Sequence, residues 1–376
     1  MILGDLRLLV DAVGVCLIAA AQWQIGCWAL GWAQRRGLKR PLLVLLLCAA
    51  LWLSAGLALS FPRTHLWFGV PAWVRGWVCG SAYVWAFAST GAWMTYAVWR
   101  LARRLKPAPF DAGRRRLVRA AVAAPFALTG FGVFVERTNF RVREADLPVP
   151  GLPADLEGLR LVQLSDIHLS PYLSERELAR AIDAANEVRA RLVLVTGDLI
   201  SVAGDPLDAC LRQLARLRAE AGILGCLGNH EVHADCEGYA ARAGARLGIR
   251  FLRGAAEALR FGSAVLNVAG VDYQSVRDKP RYLRGAERLV APGAVNVLLS
   301  HNPDVFPVAA RQGFDVTLAG HTHGGQVTVE IVHQTLNLAR FITPFVYGLY
   351  REGKASVYVT RGIGTIGLPA RIGAPP

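Results

Sequence analysis

Five short blocks in the second half of the chain carry side chains able to hold metal ions: Asp166-Ile167-His168, Gly197-Asp198, Gly228-Asn229-His230-Glu231, Ser300-His301 and Gly320-His321-Thr322-His323. Carboxylate, carboxamide and imidazole supply only oxygen and nitrogen donors, a set that admits Mn, Fe or Zn alike. Any one block alone means little, since Asp-x-His is commonly a turn, Gly-Asp a helix entry and Gly-Asn-His a left-handed turn. Five in a fixed order, each after an apolar stretch that reads as a strand, make the inventory of a site for two metals.

The intervening sequence has to place those blocks at strand ends. Residues 159–164 read as a strand that delivers Asp166 and His168, two positions apart on extended chain and therefore on one side of it. Ser174-Glu175-Arg176-Glu177 is a capping box before a helical pattern of Leu178, Ala181, Ile182, Ala185 and Val188. A strand at 192–196 then leads to Gly197-Asp198. Asp205-Pro206 resembles an N-cap with proline at the first helical position, ahead of Leu207, Leu211, Leu214 and Leu217. The apolar run 223–227 ends in Gly228-Asn229-His230-Glu231, and further strands are expected at 264–271, 295–299, 316–319 and 356–360. Apolar strands alternating with amphipathic helices indicate an α/β core with helices over the sheet faces. Residues 138–157 read as a linker with a lead-in strand that ends in a proline-rich turn.

The order Asp-x-His, Gly-Asp, Gly-Asn-His-Glu, His, Gly-His-x-His resembles the calcineurin-like metallophosphoesterase superfamily over residues 158–376. The wording around the blocks, Gln163-Leu164-Ser165, Asn302-Pro303-Asp304, Gly324-Gly325-Gln326 and Arg361-Gly362-Ile363-Gly364, is similar to the YkuE/YaeI-like branch and to transmembrane proteins with a metallophosphoesterase domain. The resemblance implies a four-layer αββα sandwich. It also implies that Asp166, His168 and His323 bind one metal, that Asn229, His301 and His321 bind the second, and that Asp198 bridges them. A carboxylate shared by two cations offsets their repulsion, and the pair lowers the pKa of a bridging water for in-line attack at phosphorus. His230 matches the family histidine that protonates the leaving group or stabilises the transition-state charge, a role for a side chain titrating near neutral pH. Glu231 either orients His230 or faces solvent. Gly197, Gly228 and Gly320 stand where the backbone must turn tightly beside the metals. Ser201 occupies the position of a metal-binding tyrosine in purple acid phosphatases, so a tyrosine-bound ferric ion is not expected. Arg361 is read as a structural ion-pair partner, and His233 as the one remaining histidine close enough to meet substrate.

The first 137 residues differ from the rest. They hold 16 Lys+Arg against 4 Asp+Glu, whereas the remainder holds 26 against 24, so the net charge of +14 belongs almost wholly to the apolar part. Basic residues flanking apolar runs are what membrane segments show, and nucleic-acid binding is not expected. The seven cysteines give no disulfide framework and no metal-ligand spacing.

A hydrocarbon core of about 30 Å needs about 20 apolar residues. Residues 8–32, 42–61 and 77–99 meet that length, and 120–135, shorter and containing Pro125, is a weaker fourth span. Four basic residues lie at 35–40, two at 62–76 and eight at 100–119, which puts the N-terminus and the soluble domain outside the cytoplasm if the fourth run spans. Gly113 to Arg119 also resembles a twin-arginine export signal, and the same arginines serve equally as a positive-inside anchor. The expectation is an integral membrane protein (transmembrane region 1–137, soluble domain 158–376) that hydrolyses an envelope or lipid-linked phosphoester at the bilayer. The alternatives are hydrolysis of UDP-2,3-diacylglucosamine in lipid A synthesis, whose cytoplasmic substrate conflicts with this topology, and a non-catalytic metal-binding membrane sensor or scaffold.

Overall fold

The computed structural model describes residues 2–37, 49, 71–106, 109, 111–328 and 337–376. The chain divides into two compact units: Met1–Glu136 with Gly367–Ile372, and Arg137–Ile366 with Gly373–Pro376.

The first unit is helical, with α1 (Ile2–Arg35), α2 (Ala72–Leu105) and α3 (Ala112–Phe134). Helix α2 packs on both of the others. Its buried face is mostly small, with Gly76, Gly80, Ala82, Ala86, Ser89 and Ala92, and a side chain added at Gly91 would meet the Pro125 ring at 3.1 Å. Small residues let helix backbones approach closely where neither water nor a large side chain drives association. Gln22 ties α1 to α2: its Nε2 donates to Ser89 Oγ at 2.9 Å and its Oε1 accepts from Trp85 Nε1 at 2.8 Å.

Among the described residues two helical stretches are long and apolar enough to cross a membrane, Val13–Arg35 and Ala112–Thr138. The run at 77–99 lies in α2, where Ser81, Ser89, Thr90 and Thr95 dilute the apolar residues, and α2 is not one of the two. The weaker fourth run is instead part of a continuous helix through Pro125, whose carbonyl accepts from Thr129 Oγ1 at 2.6 Å. Asp111 caps this helix by accepting from the Arg114 amide, so the arginine-rich segment forms its first turns. The run at 42–61 apart from residue 49, together with His65 and His333, lies outside the described residues.

The second unit holds two sheets. Strands β1 (Leu161–Leu164), β2 (Leu192–Thr196), β3 (Ile223–Cys226) and β4 (Ile249–Phe251) form a parallel sheet in that order. The other sheet has six strands: β5 (Ala255–Phe261), β6 (Ala264–Gly270), β7 (Val295–Leu299), β8 (Val316–Ala319), β9 (Gly348–Glu352) and β10 (Ala355–Val359). Its order is β5-β6-β7-β8-β10-β9, parallel in the middle and antiparallel at both edges.

Alternation along each strand sends side chains to both faces. Leu192, Leu194 and Leu224 of the first sheet join Val268, Val297, Leu299 and Leu318 of the second in one core. On the outer face of the first sheet Val193 and Val195 meet Leu178 and Ile182 of α4 (Glu175–Glu187) and Leu211 of α5 (Leu207–Leu214). On the outer face of the second, Leu298 packs with Tyr282 and Phe314, and Ala319 and Val357 with Phe306 of a further helix, Phe306–Gln312. The four layers are those of a metallophosphoesterase α/β fold.

Two local expectations are revised and a third holds. Residues 139–150 form no strand. Leu147 and Val149 still pack on the inter-sheet core, but this extended segment has no ladder partner. Asp205 does not cap α5; its Oδ2 accepts from the Ser201 and Val202 amides and closes the loop before the helix. The capping box at Ser174 forms, with Ser174 N donating to Glu177 Oε2 at 2.7 Å and Glu177 N donating to Ser174 Oγ at 3.3 Å.

Candidate metal centre

The five blocks meet where the carboxyl ends of β1, β2 and β3 face those of β7 and β8. Three groups of side chains each bring their donor atoms within 4.8 Å of one another: Asp166, His168 and His323; His168, Asp198 and His230; Asp198, His301 and His321. Asp198 links the last two groups, and His168 joins the first to the second. Asp198 Oδ2 lies 3.0 Å from His301 Nε2, 3.5 Å from His168 Nε2 and 4.0 Å from His230 Nε2, and its Oδ1 accepts from the His230 amide at 2.9 Å.

The imidazoles are turned by partners on their far nitrogens. His301 Nδ1 bonds the Thr196 carbonyl at 2.7 Å, His168 Nδ1 lies 3.2 Å from Ser201 Oγ, and His230 Nδ1 bonds the Ser201 carbonyl. Each therefore presents Nε2 to the centre, as outer partners do in sites that bind metal through histidine. Ser201, identified from sequence only by what it is not, thus orients two histidines.

Asn229 begins the short helix Asn229–His233, and its Oδ1 is buried with no hydrogen-bond partner among the described residues. A buried amide oxygen left without a donor costs free energy, so this atom, beside an all-N/O donor set, fits a cation ligand. Asp166 Oδ1 and Oδ2 accept from the His321 amide at 2.9 and 3.1 Å, which joins the β1 loop to the β8 loop.

Glu231 has neither role expected of it. It is fully buried, and its two oxygens accept from the backbone amides of Asp198, Leu199 and Gly228 at 3.0, 2.7 and 2.8 Å. One carboxylate so fixes the loops after β2 and β3. Gly228 and Gly320 matter for space: a side chain at Gly228 would fall on the Asp198 carboxylate, and one at Gly320 on Ser165 Oγ and the Asp166 carboxylate. Gly197, at φ +89°, is the one of the three that needs the left-handed region.

Gly362-Ile363-Gly364 straps the first loop, with Ile363 N donating to the Ser165 carbonyl at 3.0 Å and Gly364 N to the Asp166 carbonyl at 2.7 Å. Arg361 places its guanidinium 4.1 Å from the centre of the Tyr347 ring. His233 is exposed, with its ring 5.9 Å from that of His230, and partial desolvation together with His230 lowers its pKa. Tyr273 went unnoticed in the sequence: its ring centre lies 6.1 Å from His301 and 5.8 Å from His321. It follows the end of β6, so the strand-end rule that found the other blocks would have found it.

Five of the clustered side chains sit on strained backbone, with φ of +50° at Asp166, +49° at His168, +54° at Asp198, +73° at His321 and +52° at His323. Each such residue costs about 1–3 kcal/mol. Electrostatics without a cation are equally tense. Burial pushes Asp166 up to about 6 against the pull of His301. Burial, reinforced by His230, pushes His168 down to about 3. Burial works against protonation of His301, but the adjoining Asp198 carboxylate outweighs it and holds this imidazole at about 10. His301 and His230 in turn hold Asp198 well below the usual carboxylate range despite its burial.

Residues 159–325 match the calcineurin-like phosphoesterase family. This part of the chain is a calcineurin-like metallophosphoesterase domain. The chain is 33% identical over 248 residues to a transmembrane protein with metallophosphoesterase domain from Danio rerio, covering 62% of this chain and 54% of that protein. A Bos taurus protein of the same description is 28% identical over 298 residues, covering 73% of this chain and 64% of its own length. The uncharacterized metallophosphoesterase YkuE of Bacillus subtilis is 29% identical over 261 residues, with 66% and 86% covered. The chain thus spans little more than half the length of the Danio rerio relative.

Two measurements check this centre. Metal ligation needs His301 neutral, so binding at pH 7 must release its proton, and affinity should rise with pH by about tenfold per unit for each proton released. Below pH 6 the slope should steepen as Asp166 also takes up a proton; calorimetric titration with Mn in buffers of different ionisation enthalpy reads both. His321→Gly relieves one strained position, so with chelator present the variant should melt no lower than the wild type while its metal affinity falls.

Proposed function

We propose that the chain is a membrane-anchored phosphoesterase working with two divalent metal ions. Asp166, His168 and His323 hold one ion, Asn229, His301 and His321 the other, and Asp198 is common to both. The observation that carries this reading is the single oxygen of Asp198 within 4.0 Å of imidazoles from three different loops. Ions held there supply Lewis acidity, activating a water and balancing charge on the phosphoryl group.

The remaining work falls to the protein. His230, with Nδ1 engaged by the Ser201 carbonyl, offers Nε2 to the site and is positioned to give a proton to the departing oxygen. Half-buried Tyr273, beside His301 and His321, lines the approach. Glu231 and the Gly362–Gly364 strap hold loops rather than touch substrate.

The apolar helices Val13–Arg35 and Ala112–Thr138 support membrane anchoring through the first 137 residues, and the basic residues at 100–119 support a catalytic domain outside the cytoplasm. An active site tethered there favours envelope or lipid-linked phosphoesters, whether monoesters or diesters.

Hydrolysis of bis(p-nitrophenyl) phosphate with added Mn tests the chemistry. Asp198→Ala should lose both metal and turnover, whereas His230→Ala should keep its metal and lose about 10²–10⁴-fold in kcat. Wild-type protein that binds metal and never turns over would instead favour a sensor or scaffold. Protease added to spheroplasts should degrade the catalytic domain before lysis; protection until lysis would reverse the orientation.

A further inference from the structure

The helical unit contains a second site of different chemistry. Between the last turns of α2 and the first turns of α3 lies a cavity of about 500 Å³, bordered by Tyr96 and Trp99 on one side and by Arg115, Arg119, Val122 and Phe126 on the other. Its volume falls within the range of small-molecule pockets. The lining is divided along its length. Arg115 and Arg119, one turn apart, stand at the end nearer the start of α3, and from there the wall becomes wholly apolar through Val122 to Phe126, about 16 Å further along the helix. An apolar wall with two exposed arginines bordering one end matches an amphiphile with an anionic head.

Three more observations point the same way. Arg115 and Arg119 are exposed and form no ion pair among the described residues. The one carboxylate of residues 100–119, Asp111, is already used as the cap of α3. The Tyr96 and Trp99 rings, 5.6 Å apart, form an aromatic wall opposite the arginines. Guanidinium pairs and an aromatic wall at the basic ends of membrane helices are the features that recognise phospholipid head groups.

We propose that this cavity binds an anionic phospholipid of the surrounding leaflet, its phosphate on Arg115 and Arg119 and one acyl chain along Val122 and Phe126. The proposal rests on the reading of the helical unit as membrane-embedded.

The test uses the full-length protein, extracted in detergent and exchanged into an equimolar mixture of phosphatidylglycerol and phosphatidylcholine, with retained lipid counted by native mass spectrometry. Wild type should keep phosphatidylglycerol preferentially. Arg115→Ala and Arg119→Ala should each reduce that preference about fivefold; Val122→Trp, which fills the cavity without changing charge, should abolish it; and Arg35→Ala, outside the cavity, should leave it intact. Hydrolysis of soluble bis(p-nitrophenyl) phosphate serves as the folding control and should be unchanged in all four. Equal retention of both lipids, or displacement of phosphatidylglycerol by inorganic phosphate alone, overturns the proposal. So does a Val122→Trp protein that loses stability while its lipid preference persists, because the cavity would then be filled by the chain's own segment. Carbonate washing separates the two readings: protein retained in the washed membrane without lipid preference sinks this site alone, whereas protein released by carbonate sinks the membrane reading and this site with it.

Discussion

The carboxylate of Asp198 is the point on which the catalytic unit closes. It leaves the end of β2, accepts the amide of His230 from the loop after β3, and meets His301 from the other sheet at 3.0 Å. Two sheets that share only a greasy interior could slide against each other at modest cost, because apolar packing is non-directional. A buried charge-assisted contact at the carboxyl ends removes that freedom, since a displaced Asp198 would be an unpaired charge in a low-dielectric interior. The sheets are therefore in register where chemistry needs them to be.

Around this contact the structure spends stability on geometry. Glu231 is buried to hold three amides, Gly228 and Gly320 leave room for carboxylates, and five donor-bearing residues adopt left-handed backbone. None of these choices improves the hydrophobic core. They make sense as the preorganisation of a polar site, where strain is tolerated because the surrounding layers determine the loops.

Much of this was legible in advance, and the exceptions share a cause. Strands β2, β7 and β8 are buried on both faces and read as mostly apolar runs, so their limits fall where sequence puts them. The antiparallel edges β5 and β9 are largely exposed and have no such run, and β4 has only three residues. The donor blocks stood out because their residue types are rare at strand ends. Glu231 did not, because its partners are backbone amides that no side-chain pattern reveals, and Asp205 was misread because a helix cap and a loop clamp use the same residue. In the helical unit, length and apolarity were plain in α1, but the ranking of the other runs turned on how polar residues are distributed within α2 and on a proline that α3 absorbs.

The spacing of the donors along the chain has one more consequence. His168 and His323 approach to 3.2 Å across 155 residues of sequence, and Asp166 meets the His321 amide across the same separation. Contacts so distant in sequence form last, after the loops between them have closed. The donor set therefore exists as a set only in a chain whose two sheets have both assembled.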